Sequence, residues 1–244
     1  LYQHYKDHDH FNEKIRLIGL RNRDSFQGAI SNYELLTHLN KGNFVFHSGG
    51  WGAREILEVS LVREQLVVEF ENVIGKKDLP FEKAFSYLVP LSNDNFLSQR
   101  FGDPDSLEEK AKKDPAGVIK LLLRDLGPQT ALEIKDELCE LVIPEGEWSK
   151  WWQSARSKIK KDTMVETPSS MKKPFRLRQT QLSHEERFEQ AIKDKKDVTS
   201  FILTVYNFMR DFSETLKNET FKAFMKQTLL EKLSSEEDNL SIAN

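Results

Sequence analysis

The chain has 244 residues, of which 38% are hydrophobic and 31% are charged, and its formal net charge is −3. A chain of this length can bury one large core or two to three small ones. Its single cysteine, Cys139, excludes a disulfide framework and the common cysteine-rich zinc sites. A reducing, cytoplasmic location fits this composition. No run approaches the roughly 20 apolar residues of a membrane span, so we expect no membrane partner. Because the chain begins at Leu1 without Met, we expect a fragment of a longer protein.

Residues 1–42 show the spacing of amphipathic helices. The apolar residues of the first helix share one face: Phe11, Ile15 and Ile18. A second helix is predicted to begin at the capping residue Asp24 and to end before Gly42. Both helices carry packing residues rather than a recognisable site.

Residues 43–91 consist of short, alternating, β-branched runs. The runs "NFVFH", "REILEVS" and "EQLVVEF" are separated by a glycine-rich turn and by a charged link, which is typical of β-hairpins. A short helix is predicted after Pro80. The pattern indicates a small SH3-like or Tudor-like barrel, a fold that binds peptides or nucleic acid or serves as a spacer. Trp51 in "HSGGWG" either anchors a partner or, as we expect, caps one end of the barrel.

Residues 92–178 have the element order of a winged helix-turn-helix. Three capping signals predict helix starts: Ser106 with Glu109, Asp114 followed by Pro115, and Thr130 with Glu133. A tryptophan-rich helix follows, and then two strands around a Pro-Ser-Ser turn. Helices followed by a β-hairpin fit the winged-helix motif, although the turn "LVIPEGE" is longer than its tightest form.

Residues 179–244 return to helical spacing. Their apolar residues recur at helical intervals: Phe188, Ile192, Phe201, Val205, Phe208 and Phe212. The sequence therefore predicts an α+β, mostly α fold with four regions. These are N-terminal helices (1–42), a small barrel (43–91), a helical region with a winged-helix-like unit (92–178), and C-terminal helices with a polar tail (179–244).

The stretch "WSKWWQSARSKIKKD", residues 148–162, carries the main binding signal. At about 100° per residue its apolar residues form one stripe, which we interpret as core rather than ring-stacking groups: Trp148, Trp151, Trp152, Ala155 and Ile159. The opposite face is polar and basic, and a winged helix offers this face of its third helix to the major groove. The basic part of the predicted hairpin would contact backbone phosphates as a wing.

Basic residues concentrate in this helix and hairpin. Residues 149–178 contain nine basic and two acidic residues, a net charge of +7 in a chain whose net charge is −3. Such a run often only solvates a surface, but its position on the third helix and the wing favours binding of nucleic acid or an acidic partner. The candidate binding residues are Lys150, Gln153, Ser154, Arg156, Ser157, Lys158, Lys160, Lys161, Lys172, Lys173, Arg176 and Arg178.

Catalytic and metal sites find little support in the sequence. His4 and His8 would share one helical face and could hold a metal ion, but no third ligand is evident nearby. Cys139 fits a packing role in a helix. The chain contains no nucleophile elbow, HExxH or kinase motif. We therefore predict no enzyme, no metal site and no cofactor.

Three stretches between residues 40 and 178 share a family resemblance. They begin "GNFVFHSGGWGAREILEVS", "FGDPDSLEEKAKKDPAGVIKLLLRDLG" and "EWSKWWQSARSKIKKD". They resemble the long N-terminal extension on GreA-type transcript-cleavage factors of chlamydiae and spirochaetes. Gre factors bind bacterial RNA polymerase, insert a coiled coil with an acidic tip, and stimulate the polymerase to cleave backtracked RNA.

The resemblance implies an accessory region of a transcription elongation factor that binds RNA polymerase or nearby nucleic acid. Neither the long coiled-coil hairpin nor the polymerase-docking domain is evident in the sequence, so we expect no residue to carry the cleavage role. Two other functions remain open from the residues themselves. One is an independent winged-helix DNA-binding regulator, and the other is a structural protein-interaction scaffold.

Overall fold

The computed structural model describes residues 2–20, 28–168, 170, 172–193, 195 and 197–242, with side chains as far as residue 234. The chain divides into two compact units. The first unit comprises Leu1–Asp125 and Asp136–Trp151, and the second comprises Leu126–Lys135 and Trp152–Asn244. The four regions predicted from the sequence stay a prediction.

The first unit begins with three helices: α1 (Tyr2–Tyr5), α2 (Phe11–Leu17) and α3 (Ala29–His38). Phe11 and Ile18 are buried, as the predicted packing face requires. The expectation that one helix presents both His4 and His8 is wrong, because α1 ends at Tyr5. The predicted cap Asp24 lies outside the described residues.

A five-stranded antiparallel sheet follows, formed by β1 (Phe44–His47), β2 (Gly52–Ser60), β3 (Gln65–Val68), β4 (Lys77–Pro80) and β5 (Leu88–Leu91). The strand order is β4-β3-β2-β1-β5, and the short helix α4 (Phe81–Tyr87) connects β4 to β5. Alternate strand residues point inward, and Ile56, Leu66 and Val68 are completely buried. This arrangement agrees with the predicted SH3-like barrel.

Aromatic rings close one end of this barrel. The buried ring of His47 lies between Trp51, at a centroid distance of 4.2 Å, and Tyr87, at 5.2 Å, with nearly parallel planes. The backbone N–H of Gly49 donates to Nδ1 of His47 over 3.1 Å. Burial lowers the pKa of His47. Trp51 is half-buried against the barrel core, so it caps the barrel end as expected.

Five helices then follow: α5 (Phe96–Gly102), α6 (Pro104–Lys113), α7 (Pro115–Leu126), α8 (Ala131–Leu138) and α9 (Glu145–Lys161). The cap at Asp114 is confirmed, because its Oδ1 accepts from the backbone N–H of Gly117 over 3.0 Å. The capping box at Thr130 is also confirmed, since its hydroxyl and backbone N–H both donate to Glu133. Helix α9 begins at Glu145, so part of the predicted "LVIPEGE" turn is helical.

The predicted capping box at Ser106 is wrong. Helix α6 begins two residues earlier, at Pro104, and its cap is Asp103. The Oδ1 atom of Asp103 accepts from the backbone N–H of Ser106 over 3.0 Å. An aspartate cap followed by proline at the first helical position satisfies the helix start, because proline has no N–H that needs a partner.

One nearly enclosed arginine joins several elements of the first unit. Arg100 of α5 has a side chain that is only 11% exposed, and its Nη1 lies 3.2 Å from Glu71 and 3.4 Å from Glu137. Burial raises the pKa of Glu137, and the charge of Arg100 opposes that rise. The guanidinium also lies over the Phe101 ring, 4.7 Å from its centroid.

The second unit contains a short hairpin and a helical bundle. The hairpin strands are β6 (Val165–Glu166) and β7 (Arg176–Leu177), and a further antiparallel bridge joins Gln129 to Phe175. Ser169 and Met171, in the predicted turn region, lie outside the described residues. The hairpin after α7, α8 and α9 completes the predicted element order of a winged helix.

Three helices, α10 (His184–Lys193), α11 (Val198–Asp211) and α12 (Glu219–Ile242), complete the second unit, with a 3-10 turn at Ser213–Lys217. Their core is largely the one predicted from helical spacing: Phe188, Ile192, Phe201, Val205, Phe208, Phe221 and Met225. Phe212 packs against this core but is only partly buried. A capping box that the sequence analysis missed, Ser183 with Glu186, begins α10. The fold is therefore α+β and mostly α, as predicted.

Candidate nucleic-acid interface

Helix α9 has one apolar face. Its buried residues recur with helical spacing: Trp148, Trp151, Ala155 and Ile159. The indole N–H of Trp151 donates to the carbonyl of Ala111 over 2.9 Å, entirely within the first unit. Trp152 is half-buried and meets Phe175 edge-to-face in the second unit. The interpretation of the tryptophans as mostly core residues is confirmed.

The rest of the α9 surface is exposed and carries the first eight candidate residues, of which Arg156 and Lys158 flank the apolar face. Lys150 belongs to the first unit, and the other seven belong to the second: Gln153, Ser154, Arg156, Ser157, Lys158, Lys160 and Lys161. All eight side chains are exposed. The helix thus presents cations and hydrogen-bonding groups to solvent, as a winged helix does when its third helix enters a groove.

A cavity of about 460 Å³ lies between α9 and the hairpin in the second unit. We call it the α9 cavity. Five candidate residues line it: Gln153, Arg156, Ser157, Lys160 and Lys161. Its remaining lining comes from the hairpin region and from α11: Thr167, Pro168, Phe175 and Asp211. Helical spacing places four of these five on the side of α9 away from its buried stripe, whereas Arg156 flanks the stripe. The cavity therefore opens on the face that was predicted to bind.

The α9 cavity also contains a carboxylate that the sequence analysis missed. Lys160 donates a hydrogen bond to Oδ2 of Asp211, and Nε of Arg210 donates to Oδ1 over 3.2 Å. Partial burial alone would raise the pKa of Asp211, but the hydrogen bonds from Lys160 and Arg210 outweigh it and lower that pKa. Asp211 is therefore an anion inside an otherwise cationic cavity.

The hairpin places its four candidates in two environments. Lys172, Lys173 and Arg176 are exposed, and the backbone N–H of Lys173 donates to the carbonyl of Ser170 over 3.0 Å. Arg178 is half-buried, and its Nη1 lies 3.5 Å from the carbonyl of Thr163. The first three can reach a ligand directly, whereas Arg178 faces the base of the hairpin.

The part of the chain that the structure describes contains no group of three or more His, Cys, Asp and Glu side chains arranged to hold a metal ion. Among the same residues, no helix has both the length and the apolar character needed to cross a membrane.

Comparison with known proteins tests the resemblance to GreA-type factors. Residues 97–182 match the model of the GRAD helix-turn-helix domain. The chain is 46% identical over 239 residues to a protein of Chlamydia pneumoniae named transcription elongation factor GreA. The resemblance to GreA-type factors is confirmed. A GreA of Chlamydia trachomatis serovar D is 45% identical over 216 residues.

These matches cover nearly all of this chain but only part of each relative. They span 98% and 88% of the chain for the two chlamydial GreA proteins, but 33% and 30% of those proteins. A protein of Treponema pallidum, named as a putative GreA-associated domains protein, is 24% identical over 84% of the chain and 31% of its own length. The chain thus spans about a third of the length of these GreA-related proteins. No solved structure matches it.

Proposed function

We propose that this chain is an accessory region of a bacterial transcription elongation factor, outside the cleavage-stimulating coiled coil, that binds RNA polymerase or nucleic acid beside it. The observation that carries the proposal is the α9 cavity, which is lined by Lys160 and four other polar or basic side chains of α9. The two chlamydial relatives, which are named as elongation factors, supply the setting.

The chemistry of the α9 cavity suits a polyanion. Arg156, Lys160 and Lys161 can donate to phosphate oxygens, and binding a phosphate backbone releases condensed counterions, which makes the affinity depend on salt. Exposed Lys172 and Lys173 add positive charge on the hairpin of the same unit. No catalytic role is part of the proposal.

A second candidate, an independent DNA-binding regulator, is favoured by one specific observation. Gln153 and Ser157 line the cavity next to the basic residues, and their side chains can hydrogen-bond to base edges. A regulator of this kind would bind one duplex sequence well above scrambled DNA at fixed salt. An accessory region would bind polymerase without such a preference.

The test measures binding of the chain to core RNA polymerase, with and without a nucleic-acid scaffold, at low and moderate salt. The variant R156E/K158E/K160E/K161E reverses four exposed cations of α9 in the second unit. The matched control K41E/R63E/K76E/K83E reverses four exposed cations of the first unit and changes net charge equally. Saturable binding that only the α9 variant weakens supports the proposal.

Other outcomes would redirect the assignment. Binding to free duplex without binding to polymerase would favour the DNA-binding regulator. Polymerase binding that neither variant weakens would remove the α9 cavity from the interface. If the chain binds neither polymerase nor nucleic acid, the proposal is wrong and a structural scaffold becomes the better assignment.

A further inference from the structure

The carboxylate of Asp211 lies where the proposed function would have a phosphate bind. It accepts hydrogen bonds from Lys160 and Arg210, and it lines the same cavity as Arg156 and Lys161. A carboxylate and a phosphate make the same charge-assisted hydrogen bonds with lysine and arginine. The free chain therefore already satisfies one cation of its α9 cavity with an internal anion.

We infer that the α9 cavity is a phosphate-binding subsite that Asp211 fills in the free chain, and that a nucleic-acid phosphate displaces Asp211 from Lys160. The inference rests on the proposed function and deepens it, because it names the chemical group that binds and the internal competitor. Nucleic acid is the committed ligand, and an acidic protein surface is an outcome of the test.

The ion pair between Lys160 and Asp211 can open so that Lys160 binds a phosphate instead. The Lys160 side chain is 50% exposed and that of Asp211 is 20% exposed, so solvent and salt can reach and weaken the pair from the lysine side. Arg210 remains beside Asp211 after Lys160 leaves, so the displaced carboxylate keeps a partner. The ammonium group of lysine has three donors and a flexible stem, which allows it to turn from Asp211 to a phosphate without movement of the backbone.

The rest of the cavity favours a chain of phosphates over a single anion. Among the described residues, neither Arg156 nor Lys161 forms an ion pair, and both side chains are exposed. A backbone carrying several phosphates can engage these two cations first and then compete locally for Lys160. Each further phosphate that is neutralised also releases counterions, which a small anion does not do to the same extent.

The experiment measures the affinity of the full chain for a fluorescein-labelled DNA duplex and for the labelled single strand by fluorescence anisotropy. The variant D211N removes the competing charge while preserving side-chain size. The matched control is E214Q. Glu214 lies three residues after Asp211, pairs with Lys217 and does not line the cavity. Thermal melting of each variant verifies that it folds.

We expect D211N to bind DNA roughly two- to fivefold more tightly than the unmodified chain at low salt, because the displaced ion pair is open to solvent on its lysine side. The gain should shrink at higher salt, where screening weakens the competing pair. E214Q should give a clearly smaller gain. The gain from D211N should also vanish when Lys160 is replaced, so K160Q/D211N should bind like K160Q.

Each result decides between the two claims. If R156E/K158E/K160E/K161E abolishes DNA binding but D211N behaves like E214Q, the inference is wrong and the proposed function stands. A gain from D211N that persists in the K160Q background would reveal a general charge effect and also overturn the inference. Binding to polymerase without binding to either DNA probe would retain the proposed function and exclude a phosphate subsite. Absence of binding to polymerase and to both DNA probes would overturn both claims.

Discussion

In the first unit, Arg100 has a side chain that is 11% exposed and lies between the carboxylates of Glu71 and Glu137. In the second unit, the Lys160 side chain is 50% exposed and, among the described residues, pairs with the carboxylate of Asp211. The two cations differ in their exposure to solvent. Arg100 is paired with Glu71 and Glu137 inside the first unit, whereas Lys160 is the cation that we propose exchanges its partner for a ligand. Basic residues in a sequence are therefore informative about binding only after their carboxylate partners are known.

The largest effect on the free energy of unfolding is expected at Arg100. We expect R100M to lower the free energy of unfolding of the first unit by about 3 kcal/mol, because it leaves partly buried carboxylates without their cation. Urea denaturation followed by far-UV circular dichroism measures this loss. R63M is the matched control, since Arg63 pairs with Glu58 at an exposed site, and it should cost less than about 1 kcal/mol. Equal losses for the two variants would contradict the structural role of Arg100.

Removing a helix cap should lower the free energy of unfolding by a smaller amount, and by the same amount in both units. D103A in the first unit and T130A in the second should each cost about 1 kcal/mol, because each removes a side chain that satisfies backbone N–H groups at a helix start. S106A should change stability by less than about 0.5 kcal/mol, since the Ser106 hydroxyl is not the cap. Chemical denaturation of the three variants tests this, and a costly S106A would restore the capping box predicted from the sequence.

Acid should weaken the barrel through His47. Burial lowers the pKa of His47 in the folded state, so the unfolded chain binds more protons as pH falls below its ordinary pKa of about 6.5. The contribution of neutral His47 to the free energy of unfolding is therefore fully present above about pH 6.5 and is lost as the pH falls toward the lowered pKa of the folded state. The measurement is unfolding of the first unit at successive pH values, in the unmodified chain and in H47F. The variant should show the shallower pH dependence, and identical curves would exclude His47 as a cause.

A small stability effect is also expected at Lys160. K160Q should change the free energy of unfolding of the second unit by less than about 1 kcal/mol, because the Lys160 side chain is half exposed and Arg210 remains paired with Asp211. The same variant should still weaken binding of the chain to nucleic acid or polymerase. Denaturation and binding assays on one preparation separate the two effects. A loss of stability as large as that of R100M would mean that Lys160, too, is structural.

The sequence predicts those features that depend on local spacing. Alternation in residues 43–91 predicted the barrel, and a period of 3.6 residues predicted the buried stripe of α9. Backbone capping also acts locally, which explains why the starts of α7 and α8 were predicted correctly. The prediction at Ser106 was wrong because two capping signals overlap there. The helix uses Asp103 followed by Pro104 rather than Ser106 with Glu109.

The remaining features depend on contacts between residues distant in the chain. Asp211 lies 51 positions after Lys160, and nothing near either residue marks them as partners. Arg100 meets Glu71, which lies 29 positions earlier in the turn after β3, so its charge could not be assigned to structure from spacing alone. The candidate interface was thus predictable as a basic face of α9, but its internal carboxylate was not.

The salt dependence of binding shows whether α9 carries the interface. The experiment measures the affinity of three chains for core RNA polymerase on a nucleic-acid scaffold. These are the unmodified chain, the α9 variant R156E/K158E/K160E/K161E and the first-unit variant K41E/R63E/K76E/K83E. We expect the logarithm of affinity to fall linearly with the logarithm of salt concentration, with a slope that becomes shallower in the α9 variant by roughly 0.7 to 0.9 for each lost phosphate contact. The first-unit variant should keep the original slope. Equal slopes and equal affinities for all three chains would contradict the assignment of binding to α9.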